Sequence, residues 1–171
     1  MDNDLDALAI SETWLKGNLT DNPILTEFIP EGYQCEHTPR LTHNGGGVAL
    51  VFRDCITSQK IKSCTFKTFD HVECLLHTNP PLRVIVIYRP PPSQAHYHSF
   101  NDFITEFDLL LQEVSIAGGR LLITGDLNIH LDKADDTHTK IFLDLLNSFD
   151  LSQNVRDPTH LSGHILDPVI T

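Results

Sequence analysis

The chain has 171 residues, is 40% hydrophobic and 20% charged, and carries 12 Lys and Arg against 23 Asp and Glu, a formal charge of −11. That length supports one domain with a real core and is too short for two ordinary ones, and the apolar content excludes a disordered chain. The acidity argues against a broad, non-specific grip on nucleic acid, which rests on many Lys and Arg contacts to phosphate, and makes hard cations the natural partners of an acidic cleft.

In chain order, Leu5 to Ile10 reads as a strand, as does the apolar run 47–52 that follows the Gly45-Gly46-Gly47 triplet. Two further strands span 72–77 and 83–88. The sequence between them, Thr-Asn-Pro-Pro-Leu, suits a hairpin, and Pro90, Pro91 and Pro92 stop the second strand. These runs are almost continuous in Val, Ile and Leu, so they are expected to be buried on both faces. From Tyr97 the period changes: Phe100, Phe103, Ile104, Phe107, Leu110, Leu111 and Val114 recur at three and four, an amphipathic helix closed by Gly118-Gly119. A strand at 121–124 follows, then a second helix over 138–149, then a polar, turn-rich tail from Asp157 to Ile165. Strands that come in runs with helices outside them imply two facing sheets flanked by helices rather than an alternating βαβ fold.

Cys35, Cys55, Cys64 and Cys74 show no Cys-x-x-Cys spacing, and the chain opens on acidic residues where a signal peptide is basic. Reduced thiols in an intracellular protein, nuclear or cytoplasmic and not secreted, are expected. The longest apolar run is far short of a membrane span, so no membrane partner is expected.

The stretch Ile-Thr-Gly-Asp-Leu-Asn-Ile at 123–129 is the most informative. If it stays extended, Asp126 and Asn128 project to one face beyond a strand end, with Gly125 letting the backbone turn. A carboxylate that can take a proton from water or bind a cation, beside a carboxamide that can hold a phosphate oxygen, suits phosphate-ester hydrolysis. The same residues also read as an ordinary strand-to-turn sequence. Glu12, just past the first strand, is placed to ligate a cation, or alternatively to sit in the first turn of a helix capped by Ser11. Tyr88 ends its strand and offers a phenol to a phosphate oxygen, or simply closes a sheet boundary. Asp167 has the chemistry to orient an imidazole, or to start a turn before Pro168. His164 is a candidate general base or an exposed residue of the tail, and Thr159 and Ser162 are hydroxyl donors with an equally ordinary turn reading. The Gly triplet lacks the Lys and Ser/Thr of a phosphate-binding loop and reads as permissive backbone at a strand start.

Taken in order, Ser-Glu-Thr-Trp, Gly-Gly-Val-Ala-Leu, Ile-Tyr-Arg-Pro-Pro, Gly-Asp-Leu-Asn and Gly-His-Ile-Leu-Asp resemble the endonuclease/exonuclease/phosphatase superfamily, most closely the endonuclease domain of LINE-type non-LTR retrotransposons. The resemblance runs from about Leu5 to Thr171. It implies a four-layered α/β sandwich and Mg²⁺- or Mn²⁺-dependent phosphodiester hydrolysis of DNA. It also implies a longer parent polyprotein with a reverse transcriptase domain. Carried over by position, Glu12 is the metal ligand and Tyr88 contacts the scissile phosphate. Asp126 orients or deprotonates the attacking water, Asn128 holds water or phosphate, Asp167 orients a catalytic His, and Thr159 contacts substrate. Two departures stand out. Family domains begin with a further strand bearing an Asn and end with a Ser-Asp-His strand. Residues 1–171 are therefore expected to be a single partial domain, an incomplete sandwich lacking both strands and the catalytic His. Such a chain is expected to be weak or inactive as a nuclease; the alternative is a non-enzymatic remnant or domesticated fragment that binds only a metal ion or a partner.

Overall fold

The computed structural model describes residues 5–40, 45–62, 64–93 and 98–171. Strands β1 (Ala7–Ser11), β2 (Tyr33–Thr38) and β3 (Val48–Arg53) form an antiparallel sheet in the order β1-β3-β2. Between β1 and β2 a 3₁₀ turn at Leu19–Asp21 leads into helix α1 (Asn22–Phe28). A second sheet holds β4 (Ser58–Lys60), β5 (Asp70–Leu76), β6 (Leu82–Tyr88), β7 (Arg120–Asp126) and β8 (Val169–Ile170) in chain order. Its one parallel pair is β6–β7, and that pair needs a long crossover. Helix α2 (Phe100–Ala117) supplies it, and α3 (Thr137–Ser148) follows β7.

Both long helices begin where their sequences provide caps. Ser99 accepts from the Asp102 amide while Asp102 reaches back to Ser99, and Asp136 accepts from the amides of His138 and Thr139. Gly118, at φ 63, ends α2.

Alternation along β5 and β6 divides the core in two. Val72, Cys74, Leu76, Val84, Val86 and Tyr88 face the first sheet and pack on Val48, Leu50 and Phe52. Ile85, Ile87 and Ile123 point the other way, against Phe103, Phe107, Leu110, Phe142 and Leu146 of the helices. α1 lies beyond the first sheet, where Ile24, Leu25 and Phe28 share a cavity of about 160 Å³ with Ile10. The layers are therefore α2/α3, five strands, three strands and α1. The expected sandwich of two facing sheets flanked by helices is what forms, with β3, β5 and β6 buried on both faces over most of their length.

Besides the 3₁₀ turn, four elements have no counterpart in the sequence reading. β2 is half-buried along its whole length and β4 is largely exposed, so neither shows apolar alternation. α1 buries no residue completely. β8 is two residues long and follows Pro168 directly. The predicted helix start at Tyr97 lies outside the described residues; the described helix begins at Phe100.

Candidate active site

Strand register places three polar residues side by side at one end of the larger sheet. Asp70 is opposite Tyr88, and Tyr88 is opposite Asp126. They have the same parity as Val84 and Val86, so they share the face turned toward the smaller sheet. Glu12, the first residue after β1, comes from that smaller sheet, and the Tyr88 hydroxyl donates to its Oε1. No helix starts here: Glu12 has φ 56, and the amides of Thr13 and Trp14 donate to the carbonyls of Gly47 and Gly46. The first-turn alternative for Glu12 is thereby excluded, and the Gly triplet is the backbone partner of the Glu12 segment rather than a phosphate cradle.

Arg40 and Asp70 were not singled out from the sequence. Arg40 Nη2 lies 2.7 Å from Asp70 Oδ2, its guanidinium carbon is 5.2 Å from the Tyr88 ring centroid, and the Gly47 amide donates to Asp70 at 2.8 Å. The pair therefore buttresses Tyr88 from the side opposite Asp126. Burial raises the Tyr88 phenol well above its ordinary value, the Glu12 hydrogen bond and charge raise it further, and Arg40 opposes them. Tyr88 is held as a neutral hydrogen-bond donor.

Asp126 and Asn128 do come together, but not by strand alternation. Asp126 is the last residue of β7, and Asn128 is left-handed at φ 50. The Asn128 amide donates to Asp126 Oδ1 at 2.9 Å, an Asx turn, and its Nδ2 donates to the Arg89 carbonyl at 2.8 Å. One donor of the carboxamide is thus committed to backbone. Gly125 is needed for a different reason from the one its sequence suggests. It lies within β7, at φ 132, and a Cβ there would sit 1.9 Å from the Ile87 carbonyl oxygen. Close approach to β6, rather than a turn, excludes any side chain.

Arg89 holds this turn. Its amide donates to the Asp126 carbonyl at 2.8 Å, and its Nη1 reaches the carbonyls of Leu127 at 3.1 Å and Asn128 at 3.3 Å. The guanidinium is buried over the Phe103 ring, 4.9 Å from its centroid. The Arg of the Tyr-Arg-Pro-Pro motif is therefore a positioning residue for Asp126 and Asn128.

The last carboxylate arrives on the loop before β8. Thr159 Oγ1 accepts from the amides of Leu166 and Asp167 at 3.0 and 3.2 Å. The Leu127 amide donates to the Leu166 carbonyl at 3.1 Å, tying this loop to the Asp126 turn. Thr159 is exposed, and its hydroxyl oxygen holds the backbone that presents Asp167. Among the described residues no imidazole hydrogen-bonds Asp167. His164 is turned elsewhere: its Nδ1 lies 3.0 Å from Asp132 Oδ2, so it is neither a free tail residue nor a base beside Asp167. Ser162 Oγ contacts His160 Nδ1 at 2.5 Å within the same loop.

The electrostatics identify Asp126 as the unusual group. Burial pushes its carboxyl up to about 6, the Asn128 amide pulls it back, and the charges of Asp167 and Glu12 raise it. Three carboxylates from three separate chain segments thus share one electrostatic environment, at the edge where the two sheets meet. An all-oxygen donor set of this kind, with a carboxamide and a phenol beside it, fits a hard divalent cation.

A site at the edge of two packed sheets, built from carboxylates, a phenol and a carboxamide, defines a phosphoesterase-like α/β sandwich. The sequence matches the Endonuclease/Exonuclease/phosphatase family over residues 2–167, and the chain belongs to that family. Among curated proteins none matches it. Solved structures share the fold at low identity. The AP endonuclease LMAP from Leishmania major is 11% identical with a TM-score of 0.71, covering 96% of this chain and 69% of that one. The human Nocturnin catalytic domain is 16% identical at 0.62, covering 96% and 68%. The endonuclease domain of TRAS1, a telomere-specific non-LTR retrotransposon, is 12% identical at 0.61, covering 93% and 80%. Among the described residues no helix is long and apolar enough to cross a membrane.

Proposed function

We propose that this site performs divalent-metal-dependent hydrolysis of phosphodiester bonds in DNA, in the manner of a non-LTR retrotransposon endonuclease. The observation that carries the reading is the convergence of Glu12, Asp126 and Asp167 with Tyr88 and Asn128, and the lifting of the Asp126 carboxyl to about 6 by burial and by its carboxylate neighbours. The Tyr-Arg-Pro-Pro and Gly-Asp-x-Asn wording favours a retroelement-type DNA substrate over a small phosphomonoester.

Glu12 is the ligand for Mg²⁺ or Mn²⁺. When bound, that cation supplies positive charge to the phosphate oxygens as negative charge builds on them. Tyr88, kept neutral, donates to a non-bridging oxygen of the scissile phosphate once its Glu12 bond is exchanged for substrate. Asp126 accepts a proton from, or aligns, the attacking water, and a carboxyl that titrates near 6 is a base matched to neutral pH. Asn128 holds water or phosphate with its remaining polar capacity. Thr159 fixes the loop and also offers its hydroxyl proton to substrate. Among the described residues no imidazole hydrogen-bonds Asp167, and slow nicking is the outcome we expect.

Supercoiled-plasmid nicking tests this. The expected result is slow conversion to open circles that requires Mg²⁺ or Mn²⁺ and falls about 100-fold or more in Asp126→Ala and Glu12→Gln. Rapid nicking abolished by Asp126→Ala would refute the slowness; nicking indifferent to both substitutions would refute the site. Phosphomonoester hydrolysis without nicking would assign the chain to the phosphatase branch. No hydrolysis with either cation would leave the metal- or partner-binding alternative.

A further inference from the structure

Outside the catalytic edge, one cluster has the chemistry of a different kind of metal site. The loop after β7 carries His130 and Asp132, and the loop before β8 carries His164. One ligand atom from each lies within 4.8 Å of the other two. Asp132 Oδ2 and His164 Nδ1 are already 3.0 Å apart. The His130 and His164 rings stand perpendicular, with centroids 4.1 Å apart. His130 Nδ1 is shut away from water and has no hydrogen-bond partner.

The surroundings hold the three residues in place. Asp132 Oδ1 accepts from the Ile165 amide at 3.0 Å, so the carboxylate is oriented with Oδ2 toward His164. The Leu131 amide donates to the Ile165 carbonyl at 3.0 Å, and Thr139 Oγ1 donates to the His130 carbonyl at 3.0 Å. The Asp132 carboxylate is therefore oriented from its outer side as metal ligands are, and backbone bonds fix the two loops that carry His130 and His164 relative to one another and to α3.

We infer that His130, Asp132 and His164 bind a borderline divalent cation of the zinc type, which clamps the loop bearing Asp126 and Asn128 to the loop bearing Thr159 and Asp167. Two imidazole nitrogens and one carboxylate oxygen suit Zn²⁺ or Co²⁺ and suit Mg²⁺ poorly, since Mg²⁺ prefers six oxygens. Tetrahedral ligands at 2.0–2.2 Å from zinc lie about 3.4 Å apart. The Asp132–His164 separation is close to that already, and the widest pair must close by at most about 1.4 Å, within side-chain reach. The cation takes the place of the hydrogen between Asp132 and His164 Nδ1, and that proton passes through solvent to the ring's other nitrogen. Water completes the coordination, because Asp132 is exposed on one side. The inference does not depend on the proposed nuclease activity.

Cobalt titration of the whole chain, stripped of metal beforehand, tests it. Co²⁺ is expected to give saturable tetrahedral d–d absorption at one equivalent, displaced by Zn²⁺ and not by Mg²⁺. His164→Gln and Asp132→Asn are each expected to weaken that binding by about 100-fold. Glu12→Gln and Asp126→Asn should leave it unchanged, which separates this site from the catalytic edge. Zn²⁺ should also raise the thermal midpoint of the unmutated chain, a readout that requires no variant to fold. The inference is overturned by absence of the absorption and of the thermal shift, by bands that survive both ligand substitutions, or by bands lost in Asp126→Asn.

Discussion

Replacing Asp126 with Asn should make the protein more stable at neutral pH. The carboxyl is lifted from an ordinary 3.8 to about 6, first by burial and then by the charges of Asp167 and Glu12. A lift of about 2 units corresponds to about 3 kcal/mol against the charged form. Asp126 keeps part of its surface in water, and solvent screening reduces this to about 1–2 kcal/mol. The sign follows from linkage. A carboxyl whose folded value is raised contributes its favourable, protonated form fully below 3.8 and loses it as pH climbs through about 6. Above that the charge is a standing liability. Asn has the same shape and keeps an oxygen to accept the Asn128 amide, so it removes the liability and little else. Urea denaturation at about pH 7.5 should therefore favour the variant by about 1–2 kcal/mol, and the gap should vanish near pH 3.5. Millimolar Mg²⁺ should narrow the gap by stabilising the unmutated chain. A variant equal to or less stable than the parent near pH 7.5, or a gap that persists at low pH, would refute the reasoning.

Three further outcomes follow from particular contacts. Arg89→Ala should cost about 3 kcal/mol in urea denaturation, because it leaves the carbonyls of Leu127 and Asn128 without their donor and removes the guanidinium from the Phe103 face. Gly125→Ala should yield little folded protein, and if any is recovered its thermal midpoint should be depressed by about 10 °C or more. A Cβ placed 1.9 Å from the Ile87 oxygen cannot be relieved without parting β6 from β7. His71 is buried, and burial lowers its imidazole to about 4 from 6.5. The unfolded chain therefore takes up a proton first on acidification. This group removes about 3 kcal/mol of stability as pH falls from about 6.5 to about 4, and His71→Phe should flatten that part of the pH–stability curve.

The sequence shows those parts of the fold where burial writes a pattern. β3, β5 and β6 are apolar on both faces because one sheet or the helix layer covers each face, and α2 shows its period because a single stripe meets the sheet. β2 packs at an edge, half-exposed throughout, with Gln34, Glu36 and His37 among its six residues, so nothing in its composition marks it as a strand. The candidate site divides on similar lines. Glu12, Tyr88, Asp126 and Asp167 sit at or just beyond strand ends, where a polar residue interrupts an apolar run and so attracts notice. Arg40 and Asp70 were missed because their meaning lies in register: only the pairing of Asp70 with Tyr88 and of Tyr88 with Asp126 shows that they share a row.

The same distinction separates the local geometry that the sequence suggests at two residues from the geometry that forms. The sequence around Gly125 and Asn128 suggests an extended segment with a turn, yet Gly125 lies within β7 and Asn128 is left-handed. Local sequence marks a glycine and a carboxamide at these positions. It does not show that they meet Ile87 and Arg89, 38 and 39 residues earlier. Both of those residues lie on or directly after β6. The central strand thus sets the close approach that admits only Gly125, carries Tyr88 into the row of polar residues, and supplies through Arg89 the donors and acceptor that shape the Asp126–Asn128 turn. The geometry of the candidate site at this edge is consequently inseparable from β6–β7 packing. A substitution such as Arg89→Lys, which keeps the charge but loses the planar fork, should leave the fold largely intact while moving the thermal midpoint and the Asp126-dependent pH–stability difference together.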